Sequence, residues 1–389
     1  MCTEFKWPYK KLSSLIEVKH GFAFKSEYFR DNGEFVLLTP GNFYESGGFK
    51  SLGEKQKYYI GEAPGNYILN KDDLLVAMTE QAPGLLGSTI FIPEEGKYLH
   101  NQRLGLIQIR DKKVSKEFLY HVFNSHIIRK LLSETAAGTK VKHTSPEKIG
   151  NVLIPFPPLE HQTVIADLLS TWDKGIKLKE ALIAEKKQQK KWLMQNLLTG
   201  KKRLPSFFSK WHEAEYKNTL SSISAKKYQI NSSEYLSEGK YPVVDQGKQL
   251  VIAYSNEKHK VLSCPKDGVI IFGDHTRELK YIDFDFVVGA DGTQVLTAIN
   301  NNSTRFVYYQ LGMKQIPNTG YNRHFIFVKE MSFLLPPLSE QIAIAEVLST
   351  ADHEIDLHNR QLEELKLQKK ALMQLLLTGM VRVNAQEVS

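Results

Sequence analysis

At 389 residues and 42% apolar composition, the chain reads as an ordered globular protein of two or three domains, each half long enough to bury a core. No run of about 18 apolar residues occurs, so no membrane span is expected, and Met1-Cys2-Thr3-Glu4-Phe5-Lys6 lacks the basic-then-apolar layout of a secretory leader. Cys2 and Cys264 form neither a disulfide framework nor a zinc site, which fits a reducing, cytoplasmic setting, and a net charge of +8 with a pI near 9.1 favours an anionic partner such as nucleic acid.

In chain order, residues 1–156 read as a mixed α/β block. Short apolar runs punctuated by Gly, Asn, Asp and Pro predict strands at Phe35–Leu38, Leu74–Met78, Ser88–Ile92 and Leu104–Ile109, and a helix at Lys116–Leu132. Residues 157–204 read as one long helix. Pro157-Pro158 can open a helix but not lie inside one, Gly200 stands where a left-handed cap is expected, and no proline falls between. Residues 205–335 form a second mixed block, with strands at Val269–Phe272 and Phe286–Val288 and a helix at Ser303–Met313. Residues 336–383 form a second long helix, and 384–389 a tail. About 40 helical residues span about 60 Å.

The two long helices are copies of one another. Pro157-Pro158-Leu159-Glu160-His161-Gln162 returns as Pro336-Pro337-Leu338-Ser339-Glu340-Gln341, and Leu169-Ser170-Thr171 as Leu348-Ser349-Thr350. Gln189-Lys190-Lys191-Trp192-Leu193-Met194-Gln195 with Leu197-Leu198-Thr199-Gly200 returns as Gln368-Lys369-Lys370-Ala371-Leu372-Met373-Gln374 with Leu376-Leu377-Thr378-Gly379. Each copy carries a seam with alternating steps of four and three. The first holds Ile165, Leu169, Trp172, Ile176, Ile183, Leu193 and Leu197; the second holds Ile344, Leu348, Ile355, Leu362, Leu365, Leu372 and Leu376. That period needs a partner helix, and the other copy is the nearest candidate. Lys179, Lys186 and Lys190, and His358 and Lys369, interrupt the seam; they read as snorkelling or register-setting groups rather than DNA contacts.

The two blocks echo each other only at their starts. Trp7, Tyr9, Lys10 and Leu12-Ser13-Ser14-Leu15 resemble Trp211, Tyr216, Lys217 and Leu220-Ser221-Ser222-Ile223, so the duplicated unit reads as domain plus helix. Two different heads on a duplicated frame suit an asymmetric, split target better than a palindrome.

This arrangement resembles the specificity subunits of type I restriction-modification systems. Pro158-Leu159 with Gln162 and Ile165, and Pro337-Leu338 with Gln341 and Ile344, match that family's helix opening, and Lys190 to Gly200 and Lys369 to Gly379 its close. Gly21-Phe22-Ala23-Phe24-Lys25 and Thr39-Pro40-Gly41-Asn42 are similar too. The resemblance implies an α+β chain: two mixed α/β target-recognition domains separated by two long helices in an antiparallel coiled coil, with a pseudo-two-fold internal repeat. It implies a non-catalytic subunit that binds double-stranded DNA, two methyltransferase subunits and restriction subunits. S-adenosylmethionine, ATP and magnesium would then reside on those partners and none on this chain.

Candidate DNA-reading residues are polar and basic groups in loops, because Arg pairs with guanine and Asn or Gln with adenine. In the first domain they are Lys19, Lys25, Thr79, Gln81, Gln102, Arg103, Lys140, Lys142 and His143. In the second they are Lys226, Lys227, Tyr228, Gln246, Lys248, His275, Thr276, Arg277, Tyr321, Asn322, Arg323 and His324. Any one alone reads more readily as a solvated surface group, and the case rests on the residues as a group. Catalytic and metal-binding patterns are lacking: neither an Asn/Asp-Pro-Pro-Tyr/Phe motif, nor a phosphate-binding Gly-rich loop, nor an HExxH spacing is present. Asp267 followed by Glu278-Leu279-Lys280 is a weak echo of metal-dependent nucleases. The competing readings are a stand-alone DNA-binding regulator and a coiled-coil assembly protein. If the helices act as a ruler, inserting residues near Ala184 lengthens the spacer between target halves, as methylome sequencing reads; an unchanged spacer counts against the ruler.

Overall fold

The computed structural model describes residues 7–80, 84–138, 141–289, 291–320 and 322–383. The chain divides into two units, residues 1–179 with 361–389, and residues 180–360. Its α-helices in chain order are α1 Lys116–Phe123, α2 His126–Thr135, α3 Pro146–Gly150, α4 Leu159–Leu197, α5 Tyr216–Thr219, α6 Thr304–Met313, α7 Phe325–Lys329 and α8 Leu338–Thr378. Helices α4 and α8 hold 39 and 41 residues, so each is roughly 60 Å long.

In unit 1 a four-stranded antiparallel sheet runs in the spatial order Ile16–His20, Leu104–Ile109, Leu74–Ala77, Thr89–Phe91. Its central strand Leu74–Ala77 is buried throughout, and its side chains alternate between two cores. Leu74 and Val76 face Phe118, Leu119, Ile165, Leu169 and Leu376. Leu75 and Ala77 face Val36, Leu69, Tyr98 and Ile90, where a second sheet pairs Phe35–Leu37 in parallel with Tyr98–Leu99.

Unit 2 repeats this construction with other residues. Its sheet runs Leu220–Ile223, Thr293–Ala298, Val269–Gly273, Leu279–Ile282, again wholly antiparallel. Ile270 and Phe272 face Phe306, Leu197 and Leu348. Val269 and Ile271 face Val244, Phe286 and Val288, where Tyr241–Val244 lies parallel to Phe286–Val288. A two-stranded ribbon precedes the long helix in each unit: Tyr9–Lys11 with Leu153–Pro155, and His212–Glu215 with Ser332–Leu335.

The long helices run antiparallel within each unit. In unit 1 the Lys179 ammonium donates to Gln361 Oε1 at 2.6 Å, and Lys369 pairs with Asp173. In unit 2 Lys186 pairs with Glu354 at 2.6 Å, and Lys190 with Asp352. Of the seam residues, Ile165, Leu169, Ile183, Leu197, Ile344, Leu348, Ile355, Leu362 and Leu376 are buried. Trp172, Ile176, Leu193, Leu365 and Leu372 are half-buried.

Both helix ends are built twice. Gln162, fully buried in the first turn of α4, accepts the Ser115 N–H at 2.9 Å and donates to the Pro157 carbonyl at 2.8 Å; Gln341 does the same to Ser303 and Pro336 at the same distances. Ser115 and Ser303 are the N-caps of α1 and α6, so one amide joins the domain helix to the long helix. Gly200 and Gly379 take φ of +69° and +78°, the left-handed caps expected. A Cβ on Gly379 would meet the Trp7 ring at 2.9 Å, and Trp7 Nε1 donates to the Leu376 carbonyl at 3.1 Å.

Two sequence expectations shift. Helix Lys116–Leu132 breaks at Asn124-Ser125, because the Asn124 amide turns inward to bond both the N–H and the hydroxyl of Thr89, and Ser125 caps a new helix. The Leu-Ser-Ser echo falls on different elements: Leu12–Ser14 is a 3-10 turn, whereas Leu220–Ile223 is a sheet strand. By ribbon register the counterpart of Leu12 is Tyr216, in the short helix that follows the second ribbon.

Replacing Gln162 or Gln341 by Leu leaves a serine N–H without its acceptor. Each change is expected to cost about 1–3 kcal/mol, read as a lower urea midpoint at unchanged m-value.

Candidate nucleic-acid interface

The antiparallel pairing brings the C-terminal end of Ile16–His20, the N-terminal end of Leu104–Ile109 and the C-terminal end of Leu74–Ala77 to one end of the unit 1 sheet. Lys19 is exposed there, opposite Leu106. Gln102 and Arg103 are exposed in the turn before Leu104; their N–H groups are held by the Phe22 carbonyl at 3.0 Å and Asn101 Oδ1 at 3.2 Å. Met78 N–H donates to the Arg103 carbonyl, and Thr79 then pairs with His143 in a two-stranded ladder. His143 is exposed and Lys142 half-buried, its ammonium on Ser133 Oγ at 2.8 Å. Lys25 is exposed and lies 3.9 Å from Glu27. Gln81 and Lys140 lie outside the described residues.

A residue not anticipated from sequence organises this end. Glu80 is 5% exposed, and one carboxylate oxygen accepts the N–H groups of Gly84, Leu85 and Leu86 at 2.8–3.0 Å. Burial lowers the pKa of Arg129 below the usual arginine value, against the opposing pull of Glu45 and Glu80. A short acidic strand end beside Gly84 was the available sequence signal.

The corresponding sheet end in unit 2 gathers most of the second set. Gln246 Oε1 accepts the His275 N–H at 3.1 Å, and its amide nitrogen donates to the Asp291 carbonyl at 2.8 Å. The Thr276 hydroxyl donates to the Gln246 carbonyl. Arg277 has a φ of +61°, rare for a side chain of its size, and its guanidinium donates to the Ile316 carbonyl at 3.3 Å. Gln229, just after Tyr228, donates to Asp291 Oδ1 at 3.0 Å, which ties the Ala225–Tyr228 turn to the same cluster. Lys226 and Lys227 are exposed on that turn, with the Lys227 ammonium 5.6 Å from the half-buried Tyr228 ring centre. Lys248, Asn322 and Arg323 are exposed, and Tyr321 lies outside the described residues.

His324 is different: it is fully buried. Its Nδ1 lies 2.9 Å from the Asp274 carbonyl, and its Nε2 accepts the Thr319 N–H at 3.3 Å, so the ring braces the loop from beneath. Asp274 and Lys280 are further braces that sequence reading missed. Asp274 accepts the Phe325 N–H at 2.8 Å. The Lys280 ammonium donates to the Asp245 and Gln249 carbonyls, and its burial pulls its pKa below the usual lysine value.

The nuclease-like pattern is taken apart by the fold. Asp267 precedes Val269–Gly273, whereas Glu278 precedes the antiparallel Leu279–Ile282, so the two carboxylates lie at opposite ends of one hairpin. Asp267 accepts the Thr304 N–H at the start of α6, and Lys280 is occupied by carbonyls. Among the described residues no three His, Cys, Asp or Glu side chains gather as metal ligands, and no helix is long and apolar enough to cross a membrane.

If this surface holds DNA, Lys248→Ala and Arg323→Ala each lower affinity and reduce the salt slope by about one, while Gln246→Ala lowers affinity through the loops at unchanged slope. Fluorescence anisotropy with duplex DNA at several salt concentrations separates these outcomes; unchanged slopes remove both cations from the interface.

Comparison with known proteins assigns the chain. The family described as the type I restriction modification DNA specificity domain matches residues 5–188 and again 211–367. The chain is 24% identical over 357 residues to the type I restriction enzyme MjaVIII specificity subunit of Methanocaldococcus jannaschii, covering 81% of this chain and 80% of that one. It is 29% identical over 167 residues to the EcoBI specificity subunit of Escherichia coli, 42% of this chain and 32% of that subunit's length. The fold matches the crystal structure of the type I restriction-modification S subunit from M. genitalium with a TM-score of 0.64 at 16% identity, over 97% of this chain and 98% of that one. With two family matches covering most of its length, this chain belongs to the type I restriction-modification specificity family.

Proposed function

We propose that the chain is the DNA-reading adaptor of a type I restriction-modification complex. The loop cluster at the sheet end of unit 1 reads one half of a split, asymmetric target in double-stranded DNA, and the cluster of unit 2 reads the other. The observation that carries this reading is the repeated topology. Two sheets of the same strand order each present loops at the equivalent end of their own sheet, yet those loops carry different side chains. Equivalent scaffolds with unlike heads suit an unlike pair of half-sites. Exposed lysines and arginines supply phosphate contacts, which position without specifying, and Gln, Asn and Arg groups supply base contacts.

In this reading the subunit does no chemistry. The separation of Asp267 from Glu278 supports that. Two methyltransferase subunits dock on the duplicated helices and the domains, and restriction subunits join them. S-adenosylmethionine, ATP and magnesium belong to those partners. The subunit works in the cytoplasm, on the cell's own DNA.

The decisive experiment is methylome sequencing with and without the gene, beside co-purification. A stoichiometric methyltransferase and one split motif that loses methylation on deletion are expected. Binding to DNA without a methyltransferase would favour a stand-alone regulator, and loss of no motif would sink the reading. Exchanging residues 1–156 for another subunit's domain changes one half of the motif and leaves the other intact.

A further inference from the structure

The lysines that interrupt the helix seam are partnered at equivalent places in the repeat. Lys190 and Lys369 correspond, as do Asp173 and Asp352. In unit 2, Lys190 of α4 pairs with one oxygen of Asp352 on α8, and the other oxygen accepts the Tyr309 hydroxyl of α6 at 2.8 Å. One carboxylate therefore touches both long helices and the domain. In unit 1, Lys369 of α8 pairs with Asp173 of α4, and His121 of α1 stands where Tyr309 stands in α6. Its Nδ1 is 3.9 Å from the other oxygen of Asp173, while its Nε2 lies 3.1 Å from Ser170 Oγ one turn earlier.

A lysine in an apolar seam costs stability and in exchange can specify register. Lys369 is only 8% exposed, so its ammonium depends on Asp173. Seam residues recur every heptad, and apolar contacts alone tolerate a one-heptad slip. Such a slip in one direction would set Lys190 beside Ala345 and Lys369 beside Ala166, both alanines in apolar cores. In the native register both lysines meet aspartates.

We propose that Asp352–Lys190 and Asp173–Lys369 are positioning residues that hold the helices in one register and, through Tyr309, hold the second domain at one orientation on them, so that the spacer allowed between target halves depends on them. This rests on the split-target reading above. The two nodes differ in strength. Tyr309 bonds its aspartate directly, whereas His121 does not; burial, with Lys369 adding to it, pushes the His121 pKa down to about 3, so the ring brings no charge to Asp173.

The full chain, assembled with the methyltransferase subunit of its own system, is assayed for methyl transfer to duplexes carrying its motif with the native spacer and with spacers one base pair shorter or longer. If the wild-type complex methylates no split motif, the functional reading fails before the positioning one is reached. Given that activity, Lys190→Ala and Tyr309→Phe are each expected to reduce discrimination between native and altered spacers by about tenfold, the worth of one hydrogen bond to a charged group. Exchanging the pair, Lys190→Asp with Asp352→Lys, restores the ion pair between the helices but leaves the Tyr309 hydroxyl without its carboxylate, so discrimination recovers no further than in Tyr309→Phe. Tyr309→Phe removes one hydroxyl and decides the matter if Lys190→Ala fails to assemble. A Tyr309→Phe complex with the wild-type spacer preference, or one slowed equally on every spacer, overturns the proposal.

Discussion

Each unit depends on being closed by one end of each long helix. The sheet face formed by Leu74, Val76 and Ile107 is covered by α1, by Ile165 and Leu169 of α4, and by Leu376 and Leu377 of α8. The face formed by Ile270, Phe272 and Leu296 is covered by α6, by Ile344 and Leu348 of α8, and by Leu197 and Leu198 of α4. Apolar burial is worth about 25 cal/mol per Å², and a one-sided sheet without that cover would leave its strands wet. The pairing of the helices is therefore part of each domain's core and more than a linker between domains.

That dependence explains why the helices stay alike while the domains diverge. A helix that must fit two sheets, a partner helix and a domain cap has few free positions. Gln162 and Gln341 show the constraint in one side chain, bonding the domain helix and the start of the long helix together. The sheet end is under no such demand. There the backbone is held by buried groups such as Glu80, Asp274 and His324, and the exposed side chains above them can change without disturbing the core.

The candidate interface divides accordingly. Gln246, His275 and Thr276 are joined by hydrogen bonds, so a change at one is felt at the others. Lys226, Lys248 and Arg323 stand exposed at the surface. Treating all of them as equal base-readers misses that Gln246 shapes a loop and that the His324 ring points inward.

The sequence by itself determined the helices and their duplication, because a long 3.5-residue period bounded by Pro-Pro and Gly is a local signal that needs no partner to be read; the family was legible only through the resemblance of the repeated opening and closing motifs. It also marked the central strands, whose apolar runs are buried on both faces. It could not reveal that two unlike domains share one strand order, because sheet topology rests on contacts between distant residues and tolerates any apolar side chain of suitable size. Nor could it pair Lys190 with Asp352 or turn His324 inward. Those outcomes follow from burial: a charge or ring removed from water takes whatever partner the tertiary fold brings within reach.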